Sequence, residues 1–124
     1  MANESDIQLE AKVIIGFLVF TPFSECTPLS RELDDIPARP GIYAIRHKKE
    51  GTLYVGKAKH LRNRFRGGHK AFFWSWLDRY DPDDVRILVY PLGYFAKAGL
   101  LLELEKLILR ATEPPYNVRI AREP

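Results

Sequence analysis

The strongest constraint on this chain is the run from Gly41 to His69, GIYAIRHKKEGTLYVGKAKHLRNRFRGGH. Two β-rich stretches, Ile42–His47 and Thr52–Gly56, are separated by Lys48-Lys49-Glu50-Gly51. β-Branched and aromatic residues favour strands, and the polar four-residue link ends in a glycine able to take positive φ. The spacing predicts a hairpin in which His47 pairs with Thr52, Ile45 with Tyr54 and Tyr43 with Gly56. Side chains alternate across a strand, so Tyr43 and Tyr54 share one face and Gly56 leaves space beside Tyr43. Ala58–Arg66 then has helical spacing, with Leu61 and Phe65 on an apolar side and His60 and Arg64 on another. Short-range geometry alone brings two phenols and a guanidinium together.

A chain of 124 residues favours one domain with a real core. The lone Cys26 excludes an intramolecular disulfide and a multi-cysteine zinc site. It reads as a small buried hydrophobe. Net charge is only +3, but its distribution is uneven. Lys57, Lys59, Arg62, Arg64, Arg66 and Lys70 crowd one segment together with His60 and His69. That cluster suits phosphate contacts on a polyanion; a solvated helix face is the plainer alternative.

The polar start, Met1–Asp6, reads as frayed. Val13–Phe20 is an apolar run of eight, too short to span a bilayer and without a basic n-region or small-residue cleavage site. It is expected to be a buried strand or short helix, in a cytoplasmic protein with no export signal. Thr21–Pro40, with four prolines, reads as irregular apart from one helical turn at Leu29–Asp34. Gly67-Gly68 ends the basic helix. Ala71–Tyr80 is an aromatic helix, core-facing for most rings, with one ring available for base stacking as the alternative. Asp81–Asp84 is a turn whose Asp83 and Asp84 read as solvated rather than as metal ligands. Val85–Tyr90 is a third strand.

Tyr94–Thr112 is the longest helical pattern. On a wheel of 100° per residue, Ala98, Leu101, Leu102, Ile108, Leu109 and Thr112 fall within about 60° of Glu105. A carboxylate centred on an apolar stripe is costly unless paired, protonated or bound to a cation. It is a buried Glu–Arg structural pair, a sign that the stripe is partly exposed, or a functional group, a metal ligand or acid–base residue. Glu113 reads as an ordinary surface residue.

The ordered set Gly41-Ile42-Tyr43, Tyr54-Val55-Gly56, Arg64, Glu105 and Pro115-Tyr116-Asn117 resembles the GIY-YIG nuclease family. The run Tyr54–Arg64 is especially similar to the N-terminal nuclease domain of the bacterial excision-repair endonuclease. The resemblance covers roughly residues 37–118, about two-thirds of the chain on a single-domain reading. It implies a metal-dependent DNA endonuclease with one divalent cation, Mg²⁺ (Mn²⁺ as substitute), held by Glu105, waters and the substrate phosphate. Tyr43 is then general base or water-orienting group, Tyr54 positions water or phosphate, Arg64 holds the scissile phosphate and Asn117 fixes local backbone. Lys57 and His60 are candidates to assist Tyr43; Arg62, Arg66 and His69 are supporting or nucleic-acid contacts. Some relatives carry a histidine one turn after the arginine, where this chain has Gly68 followed by His69, and Lys57 matches the repair-type branch.

The expected fold is α/β in the broad sense, an α+β sandwich with a small three-stranded antiparallel sheet flanked by helices. Residues 1–36 are read as an N-terminal extension packed on a catalytic domain, 37–124. That extension is the expected contact for a protein partner or a homodimer; no membrane association is expected. Beside the enzyme stands a second reading, a catalytically inactive nucleic-acid-binding module that keeps the fold.

Overall fold

The computed structural model describes residues 4–28, 36–66 and 79–117. The elements are α1 (Glu4–Phe20), β1 (Thr27–Pro28), β2 (Gly41–His47), β3 (Gly51–Ala58), α2 (Leu61–Arg66), β4 (Val85–Pro91) and α3 (Ala98–Thr112). The sheet is antiparallel throughout, in the order β1-β4-β2-β3. The three strands read from the sequence are present, and Thr27–Pro28 adds a two-residue edge strand. Flanking prolines hide so short a strand from any pattern.

The β2–β3 register differs from expectation at the turn and agrees where it matters. His47 pairs with Gly51, not Thr52, because Gly51 takes a φ of 79° and shortens the loop to three residues. A bulge at Leu53 absorbs the extra residue, so Ile45 still faces Tyr54 and Tyr43 still faces Gly56. β2 lies between β4 and β3 and is buried along its whole length.

One face of the sheet carries α1 and α3. Ala11, Ile14 and Leu18 of α1 share a core with Ile42, Ala44, Val55 and Leu88 of the sheet and with Leu101, Leu104 and Ile108 of α3. The other face holds Tyr43, Ile45, Ile87, Leu61 and Phe65, closed by α2.

Several expectations are corrected here. The start of the chain is helical from Glu4, and the apolar run is the second half of a 17-residue helix. Ala11, Ile14 and Leu18 repeat every three to four residues, and Glu4 and Asp6 complement the helix dipole. The basic helix begins at Leu61 because β3 continues to Ala58. The long helix begins at Ala98 because a turn at Gly93–Ala96 precedes it. The helical turn expected at 29–34, the aromatic segment at 71–78, Gly67-Gly68 and His69 lie outside the described residues.

Arg46 and Arg86, register partners on β2 and β4, tie the irregular arm after α1 to the sheet. Arg46 Nη1 donates to Thr21 O at 2.7 Å, and Arg86 Nη1 donates to Phe23 O and Ser24 O at 3.1 Å. Among the described residues no helix is long and apolar enough to cross a membrane.

The shared core makes α1 part of the folding unit. Ile14→Ala, at a fully buried position, is expected to cost about 2–5 kcal/mol in urea unfolding. Val13→Ala, one residue away on the outer face, should stay within about 0.5 kcal/mol of wild type.

Candidate active site at the edge of β3

β3 is an edge strand, so alternate residues turn their backbone N–H and C=O away from the sheet. At Val55 one side chain takes both groups. Asn117 Oδ1 accepts from the Val55 N–H and Asn117 Nδ2 donates to the Val55 C=O, each at 2.7 Å. The chain delivers Asn117 there because α3 stops at Glu113, which adopts a left-handed φ of 43° before Pro114-Pro115. Beside it Tyr116 is buried and donates to the Tyr80 hydroxyl at 3.2 Å, which donates in turn to Glu50 Oε2 at 2.8 Å. The C-terminal turn is thus fastened both to the middle of β3 and to the hairpin loop.

Two residues along the same edge, the Lys57 backbone N–H is held by the Glu105 carboxylate. Glu105 is half-buried and stands on the flank of α3, not at the centre of its buried stripe. Leu101, Leu104 and Ile108 form that stripe, while Leu102 is exposed. The wheel centred on Glu105 places the stripe wrongly because it leaves out Leu104. The flank position lets Glu105 reach around the strand edge from the α3 side towards the tyrosines.

On the opposite face, Tyr43 is fully buried. A Cβ at Gly56 would collide with the Tyr43 hydroxyl and lie 2.5 Å from its Cζ, so glycine is what admits the ring. Phe65 packs edge-on at 5.0 Å and Tyr54 stands alongside, its ring centroid 6.2 Å away. Arg64 Nε donates to the Tyr43 hydroxyl at 3.2 Å, and that hydroxyl donates to Tyr54. The result is a directional chain, guanidinium to buried phenol to half-buried phenol, ending on the side of Glu105.

The electrostatics follow from this burial. Desolvation pushes the Tyr43 phenol well above its ordinary value; Tyr54 adds to the rise and Arg64 opposes it. Tyr54 is raised by burial and by the Glu105 charge, against Arg64. Burial also raises the Glu105 carboxyl despite Lys57 and Arg64, which both favour its ionised form. A carboxylate still short of positive charge between two cations is a good place for a third. Lys57, Lys59 and Arg64 line a groove of about 360 Å³ with Ala58 and with Ala98, Leu101 and Leu102 of α3.

The remaining sequence candidates divide. Lys57 stands in the groove and is the strongest cationic influence on Glu105. His60 lines an adjoining hollow with Asn63 and Arg64, but its Nδ1 caps α2, accepting from the Asn63 N–H at 3.1 Å. Arg62 faces away, with Nε donating to Ile36 O at 2.9 Å. Arg66 closes α2, its side chain outside the described residues, as is all of His69. Asp83 belongs to a turn in which its N–H donates to Asp81 Oδ1 at 3.0 Å, at the far end of the sheet. Among the described residues no three His, Cys, Asp or Glu side chains converge. Sequence reasoning missed the Glu50–Tyr80–Tyr116 bracing, which joins three distant segments without any shared spacing.

Two outcomes test this geometry. Gly56→Ala should cost about 1–3 kcal/mol by overpacking against Tyr43 and shift the Tyr43 ring resonances in NMR spectra. The Glu105 carboxyl is raised, so its contribution is complete at pH values below the ordinary carboxylate range and is lost as pH rises through its own pKa. Glu105→Gln, which cannot ionise, should therefore gain stability over wild type as urea unfolding is moved from acid to neutral pH without metal.

A family model of the GIY-YIG catalytic domain matches residues 39–117. Among curated proteins, the chain is 35% identical over 95 residues to UvrABC system protein C of Alkaliphilus oremlandii, covering 73% of this chain and 14% of that protein. It is 32% identical over 95 residues to the protein of the same name from Synechococcus sp. (strain JA-3-3Ab), covering 77% and 15%. For that of Methanosphaera stadtmanae the figures are 30% over 92 residues, covering 70% and 14%. The chain thus spans about one-seventh of the length of the curated relatives it matches. No solved structure matches. With the family model covering both tyrosines, the arginine, the glutamate and the asparagine, the chain belongs to the GIY-YIG catalytic-domain family.

Proposed function

We propose that this protein is a metal-dependent endonuclease that hydrolyses phosphodiester bonds in DNA, with residues 37–124 as the catalytic unit and 1–36 as an extension. The observation that carries the reading is the meeting, around the edge of β3, of the Arg64–Tyr43–Tyr54 chain with the half-buried Glu105. Family membership supports a catalytic role, and the basic groove supports a polyanionic substrate.

The residues fit one Mg²⁺. Glu105 offers a single carboxylate whose proton affinity burial has raised, so ionisation gains from a cation beside it. One carboxylate suits an ion that keeps most of its waters and takes the rest of its ligands from a phosphate, and Mn²⁺ should substitute. Bound there, the metal supplies charge neutralisation at the phosphate and acidifies a water.

The chain's own groups divide the remaining work. Arg64 lines the groove, and its Nε bond to Tyr43 fixes the plane of the guanidinium for the scissile phosphate. Tyr54 is the solvent-side phenol and orients the attacking water or a phosphate oxygen. Burial and a raised pKa favour an orienting Tyr43 over a phenolate base. Its hydroxyl transmits the pull of Arg64 to Tyr54. Lys57 adds positive charge at the phosphate, and Asn117 holds the strand on which Tyr54 is mounted. A contact with a protein partner or second copy through the extension falls on the outer face of α1, where Leu9 and Val13 are each 60% exposed.

The test is cleavage of labelled duplex, nicked, branched and single-stranded DNA with Mg²⁺, Mn²⁺ or chelator. Cutting should require metal and fall by about 10²–10³ in Glu105→Gln and in Arg64→Ala, the range for removing one preorganised charge-stabilising group. Tyr43→Phe should fall less than Arg64→Ala. Salt-sensitive binding with no cutting in any metal would assign the chain as a binding module instead.

A further inference from the structure

Gly93–Ala96 forms a turn closed by the Ala96 N–H donating to Gly93 O at 3.0 Å. Its two central residues are Tyr94 and Phe95, 69% and 95% exposed. Central turn positions are ordinarily filled by Gly, Pro, Asn, Asp or Ser for reasons of backbone geometry. Among the described residues, no packing explains two aromatic rings held out in water at such a tip.

The tip is anchored. Leu92 beneath it is buried and its N–H donates to Pro40 O at 2.8 Å. Arg39 Nε donates to Leu92 O at 2.8 Å, and the Arg39 guanidinium lies 4.8 Å over the Tyr94 ring. The backbone carbonyl of Arg39 accepts from Leu61, the first residue of α2, at 2.8 Å. One residue therefore links the aromatic tip to the helix that carries Arg64. On the other side, Ala98, three residues after Phe95, lines the groove with Lys57, Lys59 and Arg64.

Among the described residues, positive charge predominates near the tip. Arg39, Lys57, Lys59, Arg62, Arg64 and Lys97 lie on the segments that meet near the tip, and Glu105, held between Lys57 and Arg64, is the carboxylate beside the groove. Exposed rings beside a continuous basic groove match a polyanion that has π faces to offer. A continuous duplex hides those faces in its own stack, whereas unpaired bases present them.

We propose that Tyr94 and Phe95 form a stacking platform for an unpaired nucleobase beside the cleavage groove. The preferred substrate is then DNA with unpaired or unstacked bases rather than continuous duplex. This rests on the endonuclease reading above and specifies the substrate of that site. Tyr94 has one face covered by Arg39, leaving the other for a base, and Phe95 is open on both.

The test is fluorescence anisotropy in chelator, so that nothing is cut, with the full chain and three labelled DNAs: continuous duplex, the same duplex with a two-nucleotide bulge, and single strand. A 2-aminopurine in the bulge reports stacking directly. Wild type should bind the bulged and single-stranded DNAs more tightly than duplex and quench the 2-aminopurine. The Tyr94→Ala/Phe95→Ala double variant should lose about five- to a hundred-fold on those two DNAs, keep its duplex affinity and leave the 2-aminopurine bright. Phe95→Trp should retain the preference. If wild type binds and cuts DNA but the double variant matches it on all three, the platform falls and the endonuclease reading stands. A loss equal on all three DNAs also overturns it, as does a change confined to self-association or to binding of anionic vesicles. Wild type that binds none of the DNAs overturns both.

Discussion

The free edge of β3 is the constraint from which the site follows. An edge strand presents unpaired backbone groups, which natural sheets must cover, shorten or occupy. Here the occupants are Asn117 at Val55 and Glu105 at Lys57. The same contacts that protect the edge bring a carboxylate from the α3 side round to two tyrosines on the other. If β3 were an inner strand, α3 and α2 would be separated by the sheet, and Glu105 could not share a site with Arg64.

The buried half of the site depends on a missing side chain. Gly56 opens the volume that Tyr43 fills, and burial then decides the chemistry of its phenol. A desolvated hydroxyl resists ionisation, so its value lies in direction: it accepts from Arg64 and donates towards Tyr54. Hydrogen bonds in such a chain polarise one another in a low-dielectric interior. Glu105 is subject to the same desolvation, which makes its negative charge costly until a cation is added. The protein without ligand stores unfavourable electrostatics at one point, as functional sites commonly do.

How much of this was legible in the sequence depended on range. The Tyr43–Gly56 and Ile45–Tyr54 pairings were readable because period-two alternation and a short loop leave few registers. The positive φ of Gly51 was readable as well, but the three-residue loop and the Leu53 bulge were not, and the correct pairing survived because each offset the other. Glu105 was identifiable as a carboxylate among leucines, but its place on the flank of α3 was not, since a wheel cannot say which leucines meet the sheet. Leu102 proved exposed and Leu104 buried. The Asn117 clamp spans 62 residues and the Glu50–Tyr80–Tyr116 bracing has no periodicity, so neither leaves a local signature. The segment from Thr21 reads as irregular because its order comes from carbonyls bound by Arg46 and Arg86, contacts that only the closed sheet creates.

The chain shares its catalytic-domain family with proteins about five times its length, of which it matches about one-seventh. Whatever those relatives use for substrate choice beyond that segment, this chain's described surface offers the basic groove, the aromatic tip and the outer face of α1. The claim on which all of the chemistry rests is that Glu105, poised at the β3 edge, is the metal ligand. Anomalous diffraction from crystals soaked in Mn²⁺ at neutral pH tests it most directly. The account predicts a peak about 2 Å from a Glu105 carboxylate oxygen, on the side facing Tyr54 and the groove, and none in Glu105→Gln crystals. A peak elsewhere, in crystals of a protein that cuts DNA and whose Glu105 touches only the Lys57 amide, would contradict it.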